Sequence, residues 1–226
     1  MRRYAFPVLL GLVGIVILLS LGVWQVRRLA WKEAMLAEIG ARISAPPFAL
    51  DRLGTPDPGR DMYLPVDFEG RTTGQGLLVL SGRKKEGPGF EVIDSFETAS
   101  GRRILLDRGF IPEAARDRPR PAVALSGVGN LLWPKEADSY TPPPDARTGL
   151  WFARDVATMA EALGTEPILV VLRTATGDLQ GVTPTPVDTA GIPNDHLNYA
   201  ITWFSLAAVW AGMTGFLLWR IRQRKI

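Results

Sequence analysis

Two long apolar runs, one near each end of the chain, limit what this sequence can fold into more than any other feature. Residues 6–23 carry no charged side chain over 18 positions, and residues 197–219 carry none over 23. Because an α-helix rises about 1.5 Å per residue, about 20 apolar residues cross a hydrocarbon layer roughly 30 Å thick. We therefore predict two transmembrane helices, with the rest of the chain between them.

The first run has an alternative interpretation as a cleaved signal peptide. Arg2 and Arg3 form a basic start, and Ser20-Leu21-Gly22 resembles a small-residue cleavage site. The run is longer, however, than the roughly 7–15 residues typical of the apolar part of a signal peptide. We therefore favour a helix that is retained in the membrane.

The basic residues beside the second run indicate an orientation. Its far end carries Arg220, Arg222, Arg224 and Lys225, whereas the "IPNDH" segment before it has no Lys or Arg. Because Lys and Arg concentrate on the cytoplasmic side of membrane helices, we predict a cytoplasmic C-terminus. Two spans then place the N-terminus in the cytoplasm as well, and residues from about Trp24 to His196 on the outer side of the membrane.

The charge balance and the absence of cysteine exclude several function classes. The net charge is +3, but six of the 26 basic residues lie in the two predicted cytoplasmic tips, so acidic residues outnumber basic ones elsewhere. The outer domain therefore lacks the basic surface that a nucleic-acid partner requires. A chain with no cysteine has no disulfides, no thiolate metal sites and no thiol catalysis.

The chain between the two apolar runs has three parts, which are predicted to be helical, extended and β-rich in turn. Strong helix formers without proline extend the first helix to about Gly40, and the proline-rich segment 41–61 then predicts an extended linker. Short runs rich in β-favouring residues follow, separated by glycine turns, and they predict antiparallel strands joined by hairpins. These runs are "MYLPVDFEG", "GLLVLSG", "GFEVIDSFETA", "RRILLDRGFIP" and "AVALSGVGNLL".

One short helix and one further strand complete this region. "VATMAEALG" predicts a helix that ends at glycine, and "PILVVLRT" predicts a buried strand. The predicted fold class is a membrane protein with two transmembrane α-helices flanking one extracytoplasmic, mainly antiparallel β (α+β) domain. The predicted segments are residues 1–40 for the cytoplasmic tip, the first membrane helix and its extension, 41–61 for the linker, 62–180 for the β domain, 181–196 for an extended proline-rich return, and 197–226 for the second membrane helix and its basic tail.

The sequence contains no pattern that supports an enzyme. The nucleotide-binding, zinc-protease and serine-hydrolase motifs are missing, and the single histidine, His196, stands at the edge of the second apolar run. A hydrolase that uses carboxylate pairs of the outer domain is a remaining alternative, with Asp61 and Asp67 or Asp94 and Glu97 as candidates. We predict a protein that is not an enzyme.

A stripe on the second helix is the candidate functional feature. A helix that starts at His196 places Tyr199, Trp203 and Trp210 within about 60° of the histidine. The aromatic residues are also typical of a membrane-interface belt, and Ala207, Ala211 and Gly215 form a small-residue pattern for helix packing. Spacing alone favours this structural interpretation. A neutral imidazole at the membrane edge is nevertheless an available ligand for haem iron.

Residues that leave the first span have matching features. Trp24, Arg27, Arg28 and Trp31 have the spacing of one helical face and belong to the same outer membrane surface. Arginines in such a place could pair with haem propionates, although Trp and Arg also act as ordinary interfacial anchors. The candidate haem surroundings are therefore Tyr199, Trp203, Trp24, Arg27 and Arg28.

Five stretches of the chain resemble one protein family. "LGVWQVRRLAWK" (Leu21–Lys32) and "NDHLNYAITWFSLA" (Asn194–Ala207) are similar to motifs of the Surfeit locus protein 1 family of cytochrome c oxidase assembly factors. "YLPV" (Tyr63–Val66), "DRGFIP" (Asp107–Pro112) and "GNLLWPKE" (Gly129–Glu136) lie between them in the family's order. The resemblance covers nearly the whole chain.

This resemblance implies a two-span inner-membrane protein that assists the maturation of subunit I of haem-copper oxidase. The family's histidine at the start of the second span, associated with haem a in bacterial members, corresponds to His196. Subunit I is the implied partner, and the enzyme that makes haem A is a further candidate, besides the lipid bilayer. A scaffold that holds these proteins together without binding haem remains the alternative function. Because no Arg- and Ser-rich presequence precedes the first span, we expect a bacterial cytoplasmic membrane protein.

Overall fold

The protein forms two compact units. The structure is a computed structural model that describes residues 2–145 and 147–223. One unit contains the chain up to Glu38 together with the chain from Thr189 onward, and the other contains Ile39–Asp188. Arg224 and Lys225, on which part of the predicted orientation depends, lie outside the described residues.

The first unit is a pair of long helices. Helix α1 is Arg2–Ile43 and helix α4 is His196–Gln223, and both are long and apolar enough to cross a membrane. Helix α4 begins where the chain leaves its last prolines, and the Tyr199 N–H donates to the Asp195 carbonyl at 3.2 Å. Asp is a favoured residue immediately before a helix. The two predicted membrane helices are confirmed as helices at either end of the chain.

Helix α1 supplies the small residues where the two helices meet. A Cβ atom at Gly14 would overlap the Trp210 indole, and one at Gly22 would overlap the Phe204 ring. The Trp210 Nε1–H also donates to the carbonyl of Gly11 at 3.2 Å. Close backbone approach at glycine is the usual way in which membrane helices gain packing contacts, because lipid provides no hydrophobic drive between helices.

The small-residue face predicted on helix α4 is only partly correct. Ala207 is buried and lies in the packed face together with Ala200. Ala211 and Gly215 are exposed, and nothing lies within 4 Å of a Cβ built at Gly215. The regular spacing failed because the partner helix, and not α4, provides the glycines at the contact.

Replacement of Gly14 by alanine is expected to loosen this helix pair. The added methyl group overlaps the Trp210 side chain and displaces its hydrogen bond, an overpacking effect of about 1–3 kcal/mol. Gly215→Ala is the matched control, because its new Cβ enters open space.

Spin labels measure this effect directly, since the chain has no cysteine of its own. Leu12→Cys and Val209→Cys place labels at exposed positions on the two helices. Pulsed EPR should give a broader distance distribution in the Gly14→Ala background than in the Gly215→Ala background. Indistinguishable distributions would rule out the proposed packing.

The second unit is built around a sheet. In chain order its elements are β1 (Phe48–Ala49), a 3-10 turn (Leu50–Arg52), α2 (Pro58–Asp61), β2 (Pro65–Arg83), β3 (Gly87–Thr98), β4 (Arg103–Pro112), a second 3-10 turn (Glu113–Ala115), β5 (Ala124–Leu131), β6 (Leu150–Trp151), α3 (Val156–Leu163) and β7 (Leu169–Gly177).

Five of the strands close into a barrel. Strand β2 pairs with β3, β3 with β4, β4 with β7, β7 with β5, and β5 again with β2. Strand β2 closes this ring because it is 19 residues long, so that its first part pairs with β5 and its second part with β3. The pairing with β3 is irregular between Thr72 and Gly76. Such irregularities bend a strand and increase its twist.

The topology corrects several sequence predictions. The segments "MYLPVDFEG" and "GLLVLSG" form the single strand β2, although turn residues separate them. The hairpins from β2 to β3 and from β3 to β4 are confirmed as antiparallel pairs. Strand β7 lies between β4 and β5 and runs parallel to β4, which hairpin counting cannot foresee. The domain remains mainly antiparallel.

Strands β4 and β7 are buried on both faces. One face contributes Leu106 and Val170 to a core inside the barrel, together with Phe96. The opposite face contributes Leu105 to a second core, where Met159 of α3 covers the sheet. This two-sided burial explains the continuous apolar runs in "RILLDRGFIP" and "PILVVLRT".

The segments around the barrel are more ordered than their proline content predicts. Helix α1 ends at Ile43 instead of near Gly40, and β1, a 3-10 turn and α2 lie within the predicted linker 41–61. Within the predicted return 181–196, Thr183 exchanges backbone hydrogen bonds with Phe110 at 2.8 and 2.9 Å. Helix α3 is confirmed, with Asp155 accepting from the Ala157 and Thr158 N–H groups and Gly164 at φ 63° ending it.

Candidate functional site

His196 is held by a residue of the other membrane helix. It is the first residue of α4, its ring is half-buried, and its Nδ1 lies 2.8 Å from Oε1 of Gln25 on α1. The Gln25 side chain is buried, with 8% of the residue exposed. A buried amide without a hydrogen-bond partner is costly, so this contact satisfies a requirement of Gln25 as well as of His196.

The helical spacing of α1 explains why Gln25 reaches the histidine. Gly22 lies in the face of α1 that packs on α4, and Gln25 follows three residues later, on the same side of the helix. The side of α1 that contacts α4 is therefore apolar and contains glycine as far as Gly22, and Gln25 is the polar residue that follows. Gln25 lies opposite the first residue of α4.

The hydrogen bond defines the chemistry of the imidazole. Oε1 of a glutamine accepts hydrogen bonds and has no proton to give, so with the amide in this orientation Nδ1 is the nitrogen that donates to it. The other nitrogen, Nε2, then has a free lone pair, and no hydrogen bond engages it within residues 2–145 and 147–223. Metal-binding histidines are typically held in this way, with one nitrogen donating to the protein and the other facing the metal.

The structure separates the predicted aromatic stripe into two groups. Trp203 and Trp210 are half-buried, and Trp210 contacts α1, whereas the Tyr199 ring is 55% exposed. Tyr199 therefore faces outward beside His196, and Trp203 belongs to the packed side of α4. The expectation of one continuous face fails because a 60° range around a helix includes both packed and exposed positions.

The predicted residues of α1 lie around Gln25 without contacting the histidine through a hydrogen bond. Trp24 is 55% exposed, and Arg27 and Arg28 are exposed. The Arg28 guanidinium lies over the Trp31 ring, 4.0 Å from its centroid. The side-chain oxygen of Gln25 accepts the hydrogen bond of His196, and this residue of the "WQVRR" motif is not among the predicted site residues.

An apolar groove between the helices lies far from this histidine. It has a volume of about 340 Å³, and its lining includes Pro7, Gly11, Thr214 and Arg220. These residues belong to the first turns of α1 and the last turns of α4, whereas His196 opens α4. The groove therefore plays no part in the chemistry of the imidazole.

The sequence of the whole chain relates this arrangement to known proteins. The sequence model of the SURF1 family matches residues 12–208. The chain is 30% identical to Surfeit locus protein 1 of Xenopus tropicalis, an alignment that covers 84% of this chain and 68% of that protein. It is 27% identical to a SURF1-like protein of Rickettsia bellii over 95% of this chain and 90% of that protein, and 28% identical to one of Rickettsia felis over 88% and 91%.

This chain belongs to the SURF1 family. The matched range includes Gln25, His196, Tyr199 and the whole barrel domain. The resemblance inferred from the sequence motifs is confirmed, and bacterial proteins are among the relatives.

The barrel domain of this SURF1 family member contains a buried charge network. Arg154, just before α3, donates from one guanidinium nitrogen to Asp107 Oδ2 at 2.9 Å and from the others to Glu136. Asp107 is 1% exposed, and this burial raises its pKa, although the Arg154 charge opposes the shift. Burial also acts to raise the pKa of Glu136, but its hydrogen bonds with Arg154 outweigh this effect and lower it.

Glu91 on β3 is a second buried acid next to this network. Burial, together with the negative charge of Asp107, raises the pKa of Glu91 to about 7. Arg83 lies 3.5 Å away and the Thr185 hydroxyl donates at 3.2 Å, and both lower the pKa without cancelling the effect of burial. Glu91 therefore exchanges its proton close to neutral pH.

A third buried charge pair joins β3 to β4. Arg108 is 0% exposed and donates to Asp94 Oδ2 at 2.8 Å, and also to Gln180 Oε1 and the Leu179 carbonyl. Burial raises the pKa of Asp94, while the hydrogen bond and charge of Arg108 oppose the shift. This pair fixes the chain after β7 to the barrel.

Three of the four acids in the predicted hydrolase pairs form ion pairs with arginine. Asp94 is bound by Arg108, Asp61 by Arg60 and Glu97 by Arg103, whereas Asp67 is exposed on β2. A cavity of about 140 Å³ does reach Asp94, together with Arg120, Gly74 and Gly76. In the described part of the chain, no group of three or more His, Asp or Glu residues is arranged to hold a metal ion. In each predicted carboxylate pair, at least one acid is therefore already bound by an arginine.

Proposed function

We propose that this protein is an assembly factor for haem-copper cytochrome c oxidase that takes haem a through His196 and assists its insertion into subunit I. Membership of the SURF1 family implies a role in cytochrome oxidase assembly. The observation that carries the finer proposal is the contact between His196 Nδ1 and Gln25, which leaves Nε2 as a free ligand nitrogen.

The residues next to His196 on α4 and next to Gln25 on α1 suit a large flat ligand. Haem supplies an iron atom that accepts one axial nitrogen from a protein histidine. Tyr199 exposes apolar ring surface in the first turn of α4, Trp24 does so next to Gln25 in the middle of α1, and Arg27 adds an exposed positive charge on α1. Haem propionates are anionic, and a guanidinium is a suitable partner for a carboxylate. Arg28 and Trp203 take secondary roles, because Arg28 stacks on Trp31 and Trp203 is half-buried.

The proposed location is a bacterial cytoplasmic membrane, with both chain ends in the cytoplasm. Arg220 and Arg222 lie in the last turn of α4, and no Lys or Arg precedes His196 within "IPNDH". This asymmetry supports a cytoplasmic C-terminus. The barrel domain is then extracytoplasmic, where it is available to subunit I or to the enzyme that makes haem A. The proposed role requires binding and release but no catalytic residue.

The haem content of purified protein tests this proposal. Wild type and His196→Ala are purified in detergent from cells that make haem A, and haem per protein is measured from the absorption spectrum. We expect the wild type to carry haem and His196→Ala to lose at least about tenfold of it, as for loss of a metal ligand. Asn198→Ala, an exposed change two residues further along α4, is the control and should retain haem.

Equal haem content in wild type and His196→Ala would instead support the scaffold alternative. The same hydrogen bond between His196 and Gln25 favours that alternative too, because polar side chains also join membrane helices as structural contacts. A photocrosslinker at Trp203 separates the two functions. Crosslinks only to oxidase subunits, in preparations without a chromophore, are the result expected for a scaffold.

A further inference from the structure

We propose that Gln25 is a positioning residue that fixes the tautomer of His196, so that Nδ1 carries the proton and Nε2 faces the ligand. The expected effect of this tautomer on haem binding rests on the proposed haem function. The tautomer itself is a property of the chain without haem, and it can be measured there. The two statements can therefore fail separately.

The burial of Gln25 gives the hydrogen bond its selectivity. The residue is 8% exposed, and its Oε1 lies 2.8 Å from Nδ1. In water an imidazole can exchange which nitrogen carries the proton, and in a protein the hydrogen bond to one nitrogen decides the state of the other. An acceptor at Nδ1 stabilises the ring with its proton there.

An amide suits this position better than a charged acceptor or an apolar side chain. Gln25 is the buried polar residue between Gly22 on its membrane side and the exposed Arg28 that follows it. A carboxylate at the same site would place a negative charge in a buried setting, which is costly without a cationic partner. A leucine would fill the space but leave Nδ1 without an acceptor. The neutral amide accepts a hydrogen bond from the ring without adding a charge to the buried site.

The single histidine makes the tautomer directly measurable. The protein is labelled with heavy-isotope nitrogen in histidine, produced in cells that make no haem A and studied by nitrogen NMR in detergent. Since there is one histidine, the spectrum contains one pair of ring signals. We expect the wild type to show a protonated Nδ1 and a bare Nε2. We expect Gln25→Leu to show a mixture of the two tautomers.

Two variants serve as controls in this experiment. Gln25→Glu keeps an oxygen acceptor at the same distance along the side chain, so the ring should keep a proton on Nδ1 even though the buried carboxyl lowers the stability of the helix pair. Val26→Ala changes the exposed neighbour on the other side of Gln25 and should leave the wild-type signals unchanged. A wild-type ring with its proton on Nε2, or a Gln25→Leu ring with the wild-type signals, would overturn the inference.

Haem binding supplies the second readout. Partners that orient a metal-binding histidine typically change metal affinity by about 10–100-fold when they are removed. We therefore expect Gln25→Leu to weaken haem binding by about tenfold or more, and Gln25→Glu to restore it. If Gln25→Leu changes the tautomer while His196→Ala leaves haem content unchanged, the positioning role stands and the haem proposal fails. If His196→Ala loses haem while Gln25→Leu keeps both tautomer and haem, the positioning inference fails alone.

Discussion

Asp94→Ala is expected to lower the free energy of unfolding of the barrel domain by about 3–5 kcal/mol. The substitution leaves the Arg108 guanidinium, which is 0% exposed, without its carboxylate. An arginine remains charged under all ordinary conditions, and removal of one partner of a buried ion pair leaves an uncompensated charge. The hydrogen bonds of Arg108 to Gln180 and Leu179 do not replace the lost negative charge.

An exposed ion pair on the same strands provides the matched control. Glu97 and Arg103 lie 3.3 Å apart, and their side chains are 40% and 58% exposed. Exposed pairs typically contribute no more than about 1 kcal/mol, so Glu97→Ala should cost correspondingly little. Urea unfolding of the full chain in detergent, followed by circular dichroism of the barrel, measures both changes. Similar costs for Asp94→Ala and Glu97→Ala would refute the assignment of Asp94 and Arg108 as a buried pair.

The double variant Asp94→Leu with Arg108→Met sharpens this prediction. Replacement of a whole buried ion pair by apolar residues of similar size is often close to neutral. The double variant should therefore recover much of the stability that Asp94→Ala loses. A double variant that is less stable than Asp94→Ala would indicate that the hydrogen bonds of Arg108 to Gln180 and Leu179 dominate.

Glu91→Gln is expected to remove the contribution of this one carboxyl to the pH dependence of barrel stability between pH 4.5 and about 7. Burial raises the pKa of Glu91 from 4.5 to about 7. Between these values the native carboxyl holds a proton that the unfolded chain has released. Stability is therefore complete below about pH 4.5 and falls as the pH rises towards 7, by about 3 kcal/mol in total. Glutamine has no proton to exchange, so the variant should lose this slope.

The test compares how the free energy of unfolding changes with pH, so a loss of stability that is the same at every pH does not affect it. Unfolding free energies are measured for the full chain in detergent at several pH values, for wild type and Glu91→Gln. Glu69→Gln, on an exposed part of β2, is the control and should keep the wild-type slope. If Glu91→Gln also keeps that slope, Glu91 does not titrate as the structure indicates.

The membrane helices and the short helix α3 could be predicted because each depends on local sequence. Residues 6–23 and 197–219 are long uncharged runs, and the Asp155 and Gly164 ends of α3 follow ordinary capping preferences. Barrel closure could not be predicted in the same way. It depends on β2 continuing through the irregularity at Thr72, and on β7 entering between β4 and β5, which are long-range pairings.

One of the two residues of the candidate site, His196, could be predicted from the sequence. His196 stands out as the only histidine at the start of an apolar run, and that signal is visible without a structure. Gln25 gave a weaker signal, because one glutamine between Trp24 and two arginines looks like part of a membrane-interface segment. Its role becomes visible only when the packing of Gly22 on α4 shows which side of α1 it occupies. The buried acids Glu91 and Asp107 were likewise indistinguishable in the sequence from exposed ones.

Pulsed EPR on the haem-loaded protein tests most directly whether His196 ligates the haem iron. The ferric protein is prepared twice, once with ordinary histidine and once with histidine labelled with the heavy nitrogen isotope. Because the chain has one histidine, any change in the nitrogen coupling to the iron comes from His196. We predict that the coupling changes with the label, and that Asn198→Ala leaves this change intact. Identical coupling in the two preparations would contradict the ligand role of His196 and the proposed haem function with it.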